Sequence, residues 1–212
     1  MLFVRNSRAR RYILRVDSRG VRITIPRGGS VEYAARFVQQ KQGWIRTQLE
    51  RIQADTLRGS GPATEVWYRG VPTAITQVED RILVGDLAFE APRDPTQLRA
   101  LVHAHLRRLA ERELPPLVHQ AAQRFGVPVA RVSIRNQRTR WGSCSRRGTI
   151  SLNWRLVQIP ETARDYLIAH ELAHVREMNH SRRFWKVVES FDPAWRESER
   201  WLRRHGRDVM RR

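Results

Sequence analysis

Cysteine occurs once in these 212 residues, as Cys144. That scarcity excludes an intrachain disulfide, and with it a secreted scaffold held together by cross-links. It also excludes a structural zinc site closed by several thiolates, and Cys144 itself reads as a small packed residue in preference to a ligand or a nucleophile. Lysine is nearly as scarce, with only Lys41 and Lys186, although 40 basic residues face 21 acidic ones for a net charge of +19. No apolar run approaches the roughly 18 residues needed to cross a bilayer. Near the N-terminus Arg5, Arg8, Arg10, Arg11 and Arg15 interrupt the apolar core that a signal peptide requires. The expected address is the cytoplasm, with no membrane partner. A chain of this length can bury a sizeable core, as one domain or as a main domain with a small companion. Acidic clusters and glycine-rich phosphate loops are missing too, which argues against a magnesium-dependent phosphate site.

What the chain does have is His170-Glu171-Leu172-Ala173-His174, with His180 six positions further on. On a helix His170 and His174 stand one turn apart on the same face, so two imidazoles can converge on one metal ion while Glu171 lies beside the open position. Three protein ligands and one water describe a catalytic zinc. The flanking Tyr166-Leu167-Ile168-Ala169 and the interleaved Leu172, Ala173 and Val175 place these groups on a buried helix starting near Pro160 and Thr162. An unpaired carboxylate buried there costs several kcal/mol, which a metal or its water would offset. The bland alternative is a pair of hydrogen-bonded core histidines with Glu171 in an ion pair. For the third ligand His180 is expected, with the helix ending near Asn179 and a new one capped by Ser181. Glu189 and Glu177 are the competing carboxylates. The histidine spacing matches the pattern H-E-x-x-H-x-x-G-x-x-H, but Glu177 stands where that pattern has glycine and no clear Met-turn follows.

The arginines suit carboxylates and phosphates alike, since a guanidinium binds either as a two-pronged fork. A protein or peptide substrate therefore fits, and so does a nucleic acid or other polyanion; the scatter of arginines from Arg5 to Arg212 does not choose between them.

Along the chain, alternation over 11–17 and 21–26 predicts a hairpin about Ser18-Arg19-Gly20, and Ser30 caps a helix running through Gly43 to Ile52. Residues 57–64 read as a linker, and short strands are expected near 65–68, 73–78, 81–84 and 87–90. Asp94-Pro95 opens a helix that Pro115-Pro116 should break or kink. His103, His105 and His119 read as ordinary helix residues. Strands follow at 131–137 and 149–156, the second placing Ile150, Leu152, Trp154 and Leu156 on one face. If that strand is an edge beside the metal, an extended peptide could pair with it; an amphipathic hairpin covering the core fits the pattern equally well. The resulting division is a hairpin and helix region over 1–56, a short-strand segment over 57–93 and a zinc-binding core over 94–212.

Arg140-Trp141-Gly142-Ser143-Cys144-Ser145, Ile150-Ser151-Leu152-Asn153-Trp154-Arg155-Leu156, Asp165-Tyr166 with the histidine pentapeptide, and Met178-Asn179-His180-Ser181 with Phe184-Trp185 together resemble the YgjP-like metallopeptidases, relatives of the SprT-type and WLM-type zinc proteases. The resemblance spans nearly the whole chain, specifically in its C-terminal motifs and loosely at the N-terminus. It implies an α+β fold: a zincin-like core of twisted sheet and active-site helix, preceded by a small α/β entry region. It further implies zinc held by His170, His174 and His180, Glu171 as general base, and the strand through Asn153 as the upper rim of the cleft. Asn153, Arg155 and Tyr166 are the candidates for binding substrate and its oxyanion. The expected function is zinc-dependent peptide hydrolysis. Two alternatives stay open: a nucleotide pyrophosphatase or phosphohydrolase, an activity also associated with the family, and a basic nucleic-acid-associated protein with little peptidase activity.

Overall fold

The computed structural model describes residues 1–17, 20–59 and 64–211, and the chain divides into two compact units, Met1–Gly61 and Pro62–Arg212. In the first, β1 (Leu2–Arg5), β2 (Ile13–Asp17) and β3 (Gly20–Ile25) form a sheet in the order β1-β3-β2, with β3 parallel to β1 and antiparallel to β2. The expected hairpin is β2–β3; Ser18 and Arg19 of its turn lie outside the described residues. Ser30 Oγ accepts from the Tyr33 amide at 3.1 Å and caps α1 (Val31–Gln40). The helix expected to continue through Gly43 is instead interrupted at Lys41, whose amide turns back to the Val38 carbonyl, and α2 (Gln42–Gly59) begins directly after it. That turn brings Ile45 into the small core of Ile23, Ile25, Ala34 and Val38. Of the expected linker at 57–64, residues 57–59 belong to α2 and 60–63 lie outside the described residues.

The second unit opens with the hairpin β4 (Glu65–Tyr68) and β5 (Val71–Ala74), then the meander β6 (Thr76–Val78), β7 (Arg81–Val84), β8 (Leu87–Glu90). Asp94 caps a 3-10 turn, Pro95–Gln97, that leads into the 28-residue helix α3 (Leu98–Phe125). A mixed sheet follows, β9 (Arg131–Arg135), β10 (Gly142–Cys144) and β11 (Thr149–Asn153), and then α4 (Glu161–Arg176), α5 (Arg182–Phe191) and α6 (Trp195–Arg211). Val66, Ile82 and Val84 of the early strands share one core with Leu106, Leu114, Ile150, Leu152, Ile168, Leu172 and Phe184, so the short-strand segment is packed into the same unit as the helices. Each such fully buried side chain stabilises the unit by roughly 1.5–3 kcal/mol. No helix among the described residues is long and apolar enough to cross a membrane.

Two expectations change here. Of the expected break or kink, the break does not occur: α3 runs on through Pro115 and Pro116, and Leu114 and Val118, both fully buried, lie on either side of them and hold the helix against the core. The strand expected to reach Leu156 stops at Asn153, whose side chain accepts from the Arg155 amide at 3.1 Å and starts a 3-10 turn, Trp154–Gln158. That turn buries Trp154, Leu156, Val157 and Gln158, where a continuing strand would have exposed every second residue.

Candidate metal centre

Helix α4 begins where the Arg164 amide bonds the Pro160 carbonyl at 2.9 Å, and ends at Glu177, which has extended backbone angles. Between these points its apolar residues are buried except the half-buried Val175, and His170, Glu171 and His174 ride on the side that meets β10 and α5. Asn179 does not take the left-handed conformation expected of it. Its side-chain oxygen instead accepts from the Ser181 amide at 3.1 Å, and Ser181 Oγ accepts from Phe184 N at 3.3 Å as the cap of α5. This tight connection returns His180 to the first two histidines. One ring nitrogen from each of His170, His174 and His180 lies within 4.8 Å of the others. Phe184, wholly buried, packs on all three rings with centroid separations of 4.9, 4.5 and 4.7 Å.

The donor set suits a metal. His174 Nδ1 pairs with the Glu177 carbonyl at 3.1 Å, and so must carry the proton, which leaves the Nε2 lone pair free. His170 Nε2 and His180 Nε2 lie 3.1 Å apart, a separation that two N–H groups cannot share. Burial, then the neighbouring His174 and His180, pushes His170 down to about 4, and burial lowers His174 as well. Near neutral pH these two are therefore neutral imidazoles, the form that binds metal. Three ring nitrogens are enough to hold one metal ion, and among the described residues no further histidine, cysteine or carboxylate joins the cluster. Glu189 is tied to Arg196 at 2.9 Å, and Glu177 contributes its main-chain carbonyl to His174, so neither carboxylate joins the cluster.

Glu171 is 6% exposed, its Oε2 has no hydrogen-bond partner, and burial pushes its carboxyl up to about 7 against the opposing pull of Arg140. It shares a cavity of about 450 Å³ with the three histidines, Arg140, Leu167, Met178 and residues 141–144. Cys144 lines this cavity but is not part of the nitrogen cluster; burial, then Glu171, raises its thiol to about 11, so it is a neutral thiol at ordinary pH.

Three residues expected at the substrate do not line the cavity. Asn153 is completely buried and donates to the carbonyls of Gln137 and Arg140 at 2.7 and 3.1 Å, bracing the loop that leads into β10. Arg155 lies over the Trp154 ring at 4.4 Å and bonds Asn136 at 2.7 Å. Tyr166, 4% exposed, packs edge-on against His170 and stacks on Trp195; burial raises its hydroxyl to about 12. The strand through Asn153, which the resemblance implies as the rim of the cleft, is β11. β11 is the central strand, parallel to β9 and antiparallel to β10, and of the two edge strands β10 is the one that lines the cavity. Sequence reasoning passed over β10 because it is only three residues long, although a glycine within a strand signals close backbone approach.

The YgjP-like metallopeptidase domain family matches residues 10–205. No curated protein matches the chain. Two solved metallopeptidase zymogens are similar to part of it. Abylysin of Pyrococcus abyssi is 28% identical over 43% of this chain and 94% of its own, with a TM-score of 0.39. Jannalysin of Methanocaldococcus jannaschii is 20% identical over 44% of this chain and 96% of its own, with a TM-score of 0.40. With an α+β core, a histidine cluster able to hold a metal, and a family match over nearly its full length, this chain belongs to the YgjP-like metallopeptidase family.

Proposed function

We propose that the chain is a zinc-dependent peptidase in which His170, His174 and His180 hold the ion and Glu171 is the general base. The observation that carries this reading is the meeting of three ring nitrogens and a buried, unpaired carboxylate oxygen in one cavity beside a free strand edge. When bound, zinc supplies Lewis acidity, polarising a carbonyl and acidifying a water. Glu171 accepts the proton of the attacking water and passes it to the leaving amine. Its surroundings favour that work, because Gly142 brings the strand against the carboxylate on one side and Leu167 is apolar wall on another.

Strand β10 supplies the means to hold a peptide. The Trp141 carbonyl accepts from Asn153 N at 2.7 Å, and Ser145 N donates to the Thr149 carbonyl at 3.0 Å. In an antiparallel ladder the alternate residues face away, so Gly142 and Cys144 direct their N–H and C=O groups to the free edge. An extended substrate pairing there runs past Glu171.

Peptide-library profiling by mass spectrometry, with zinc-loaded wild type against Glu171→Gln, tests the reading. Products should arise only with wild type, while the variant keeps its zinc. Equal product formation by both proteins would remove Glu171 from the mechanism.

A further inference from the structure

Between Glu113 and Glu161 the sequence contains no acidic residue and eight arginines. This stretch builds the sheet beside the metal centre, and four of its arginines bracket the edge strand: Arg138 and Arg140 before β10, Arg146 and Arg147 after it. All four are exposed, and among the described residues none is in an ion pair. Elsewhere in the unit Arg69, Arg107, Arg164, Arg196 and Arg203 each meet a carboxylate within 3.0 Å. Arg140 lies in the wall of the cavity itself, together with Glu171 and the histidines.

Like charges held along one edge repel each other, and an anionic ligand relieves that repulsion. Resting on the peptidase reading above, we propose that this enzyme selects acidic peptide segments, with Arg140 and Arg138 receiving carboxylates on one side of the scissile bond and Arg146 and Arg147 on the other. The free N–H and C=O groups of Gly142 and Cys144 favour a peptide over a polynucleotide, because only a polypeptide offers matching amides at strand spacing. Arg140 precedes β10 and Arg146 and Arg147 stand on the turn that follows it, so a peptide paired along this strand, roughly 10 Å of extended chain, has arginines at both ends. The apolar walls contributed by Leu167 and Met178 accept side chains between these charged ends.

Binding and cleavage are measured separately to test this. Zinc-loaded, full-length Glu171→Gln protein is titrated by fluorescence anisotropy with three labelled peptides of one length, carrying Glu, Gln or Lys on both sides of a common centre. The Glu peptide should bind about tenfold more tightly than the Gln peptide at low salt. The gap should narrow to about threefold or less in 1 M salt, where screening acts within about 3 Å. Adding Arg140→Glu and Arg146→Glu should reverse the order of the Glu and Lys peptides. Equal affinities, or an order unchanged by charge reversal, overturn the proposal. So does a duplex oligonucleotide or nucleoside triphosphate that displaces the Glu peptide at lower concentration than its unlabelled copy. Wild-type cleavage of the same peptides is followed in parallel: a charge ranking without Glu171-dependent cleavage supports the acidic preference and overturns the peptidase reading.

Discussion

The Glu171 carboxyl group and Gly142 occupy adjoining space. A Cβ at position 142 would stand 2.6 Å from Oε1 and 2.8 Å from both Cδ and Cγ of Glu171. Glu171 is buried on a packed helix, so a side chain at 142 must displace its carboxylate end. Gly142→Ala should therefore lower turnover by about 100-fold, the scale of loss that accompanies a misplacement of about 1 Å, while zinc content stays at the wild-type level. In a Glu171→Asp background the carboxylate is shorter by one methylene, and the added methyl should cost less than tenfold more. Equal losses in both backgrounds, read as kcat with zinc measured by mass spectrometry, would mean that Gly142 acts on the fold and not on Glu171. The legibility of the site follows the same division. The clustering of His170, His174 and His180 with Glu171 beside them was readable because it is local, set by spacing on one helix and the turn after it. The place of Gly142 and Arg140 in the cavity was not, because it arises where a strand meets a helix some thirty residues later. The burial of Asn153 was not readable either, because Thr149, Ser151, Asn153 and Arg155 share the polar face of an alternating pattern; the chain turns at Asn153, and its amide braces the loop before β10.

At the scale of elements, most helices and strands declared themselves through caps and alternation: Ser30, Asp94 and Ser181 all cap through their side chains. Departures came where packing prevailed over local preference. Helix α3 runs through Pro115 and Pro116 although neither can donate to a carbonyl four residues back. Burial of Leu106, Leu109, Leu114 and Val118 along the same helix outweighs the lost bonds. Pro116 is exposed, so replacing it removes nothing from the core. Pro116→Ala restores a donor to the Arg112 carbonyl and removes the ring clash, a gain of up to about 3 kcal/mol in a helix interior. Greater freedom of the unfolded chain returns about 1 kcal/mol of that. The variant should be more stable by about 1–2 kcal/mol, seen as a higher urea midpoint with an unchanged slope. An unchanged or lower midpoint would show that the helix accommodates this proline without strain.

For the whole molecule, net charge of +19 and burial of titratable groups act together when the pH falls. His103, on α3, packs beside the Trp154 ring at a centroid distance of 5.4 Å. Burial, then Arg155 and Arg99, pushes it down to about 4 from an ordinary value of 6.5. The unfolded chain therefore takes up a proton at His103 before the folded one does. This contribution to stability is complete above about 6.5 and is lost progressively as pH falls towards 4; raising the pH above neutrality does not change it. Its size is about 3 kcal/mol at most between those limits. His170 responds in the same direction, but bound metal alters it, so His103 is the cleaner probe. Urea unfolding of wild type and His103→Gln at pH 7 and pH 4.5 separates the effects: the substitution costs packing equally at both values, whereas only wild type carries the proton-linked loss at this position. The stability difference between the two pH values should be smaller in the variant by about 2 kcal/mol. Equal acid sensitivity in both proteins would place the acid lability elsewhere, in repulsion among the arginines that the fold brings together.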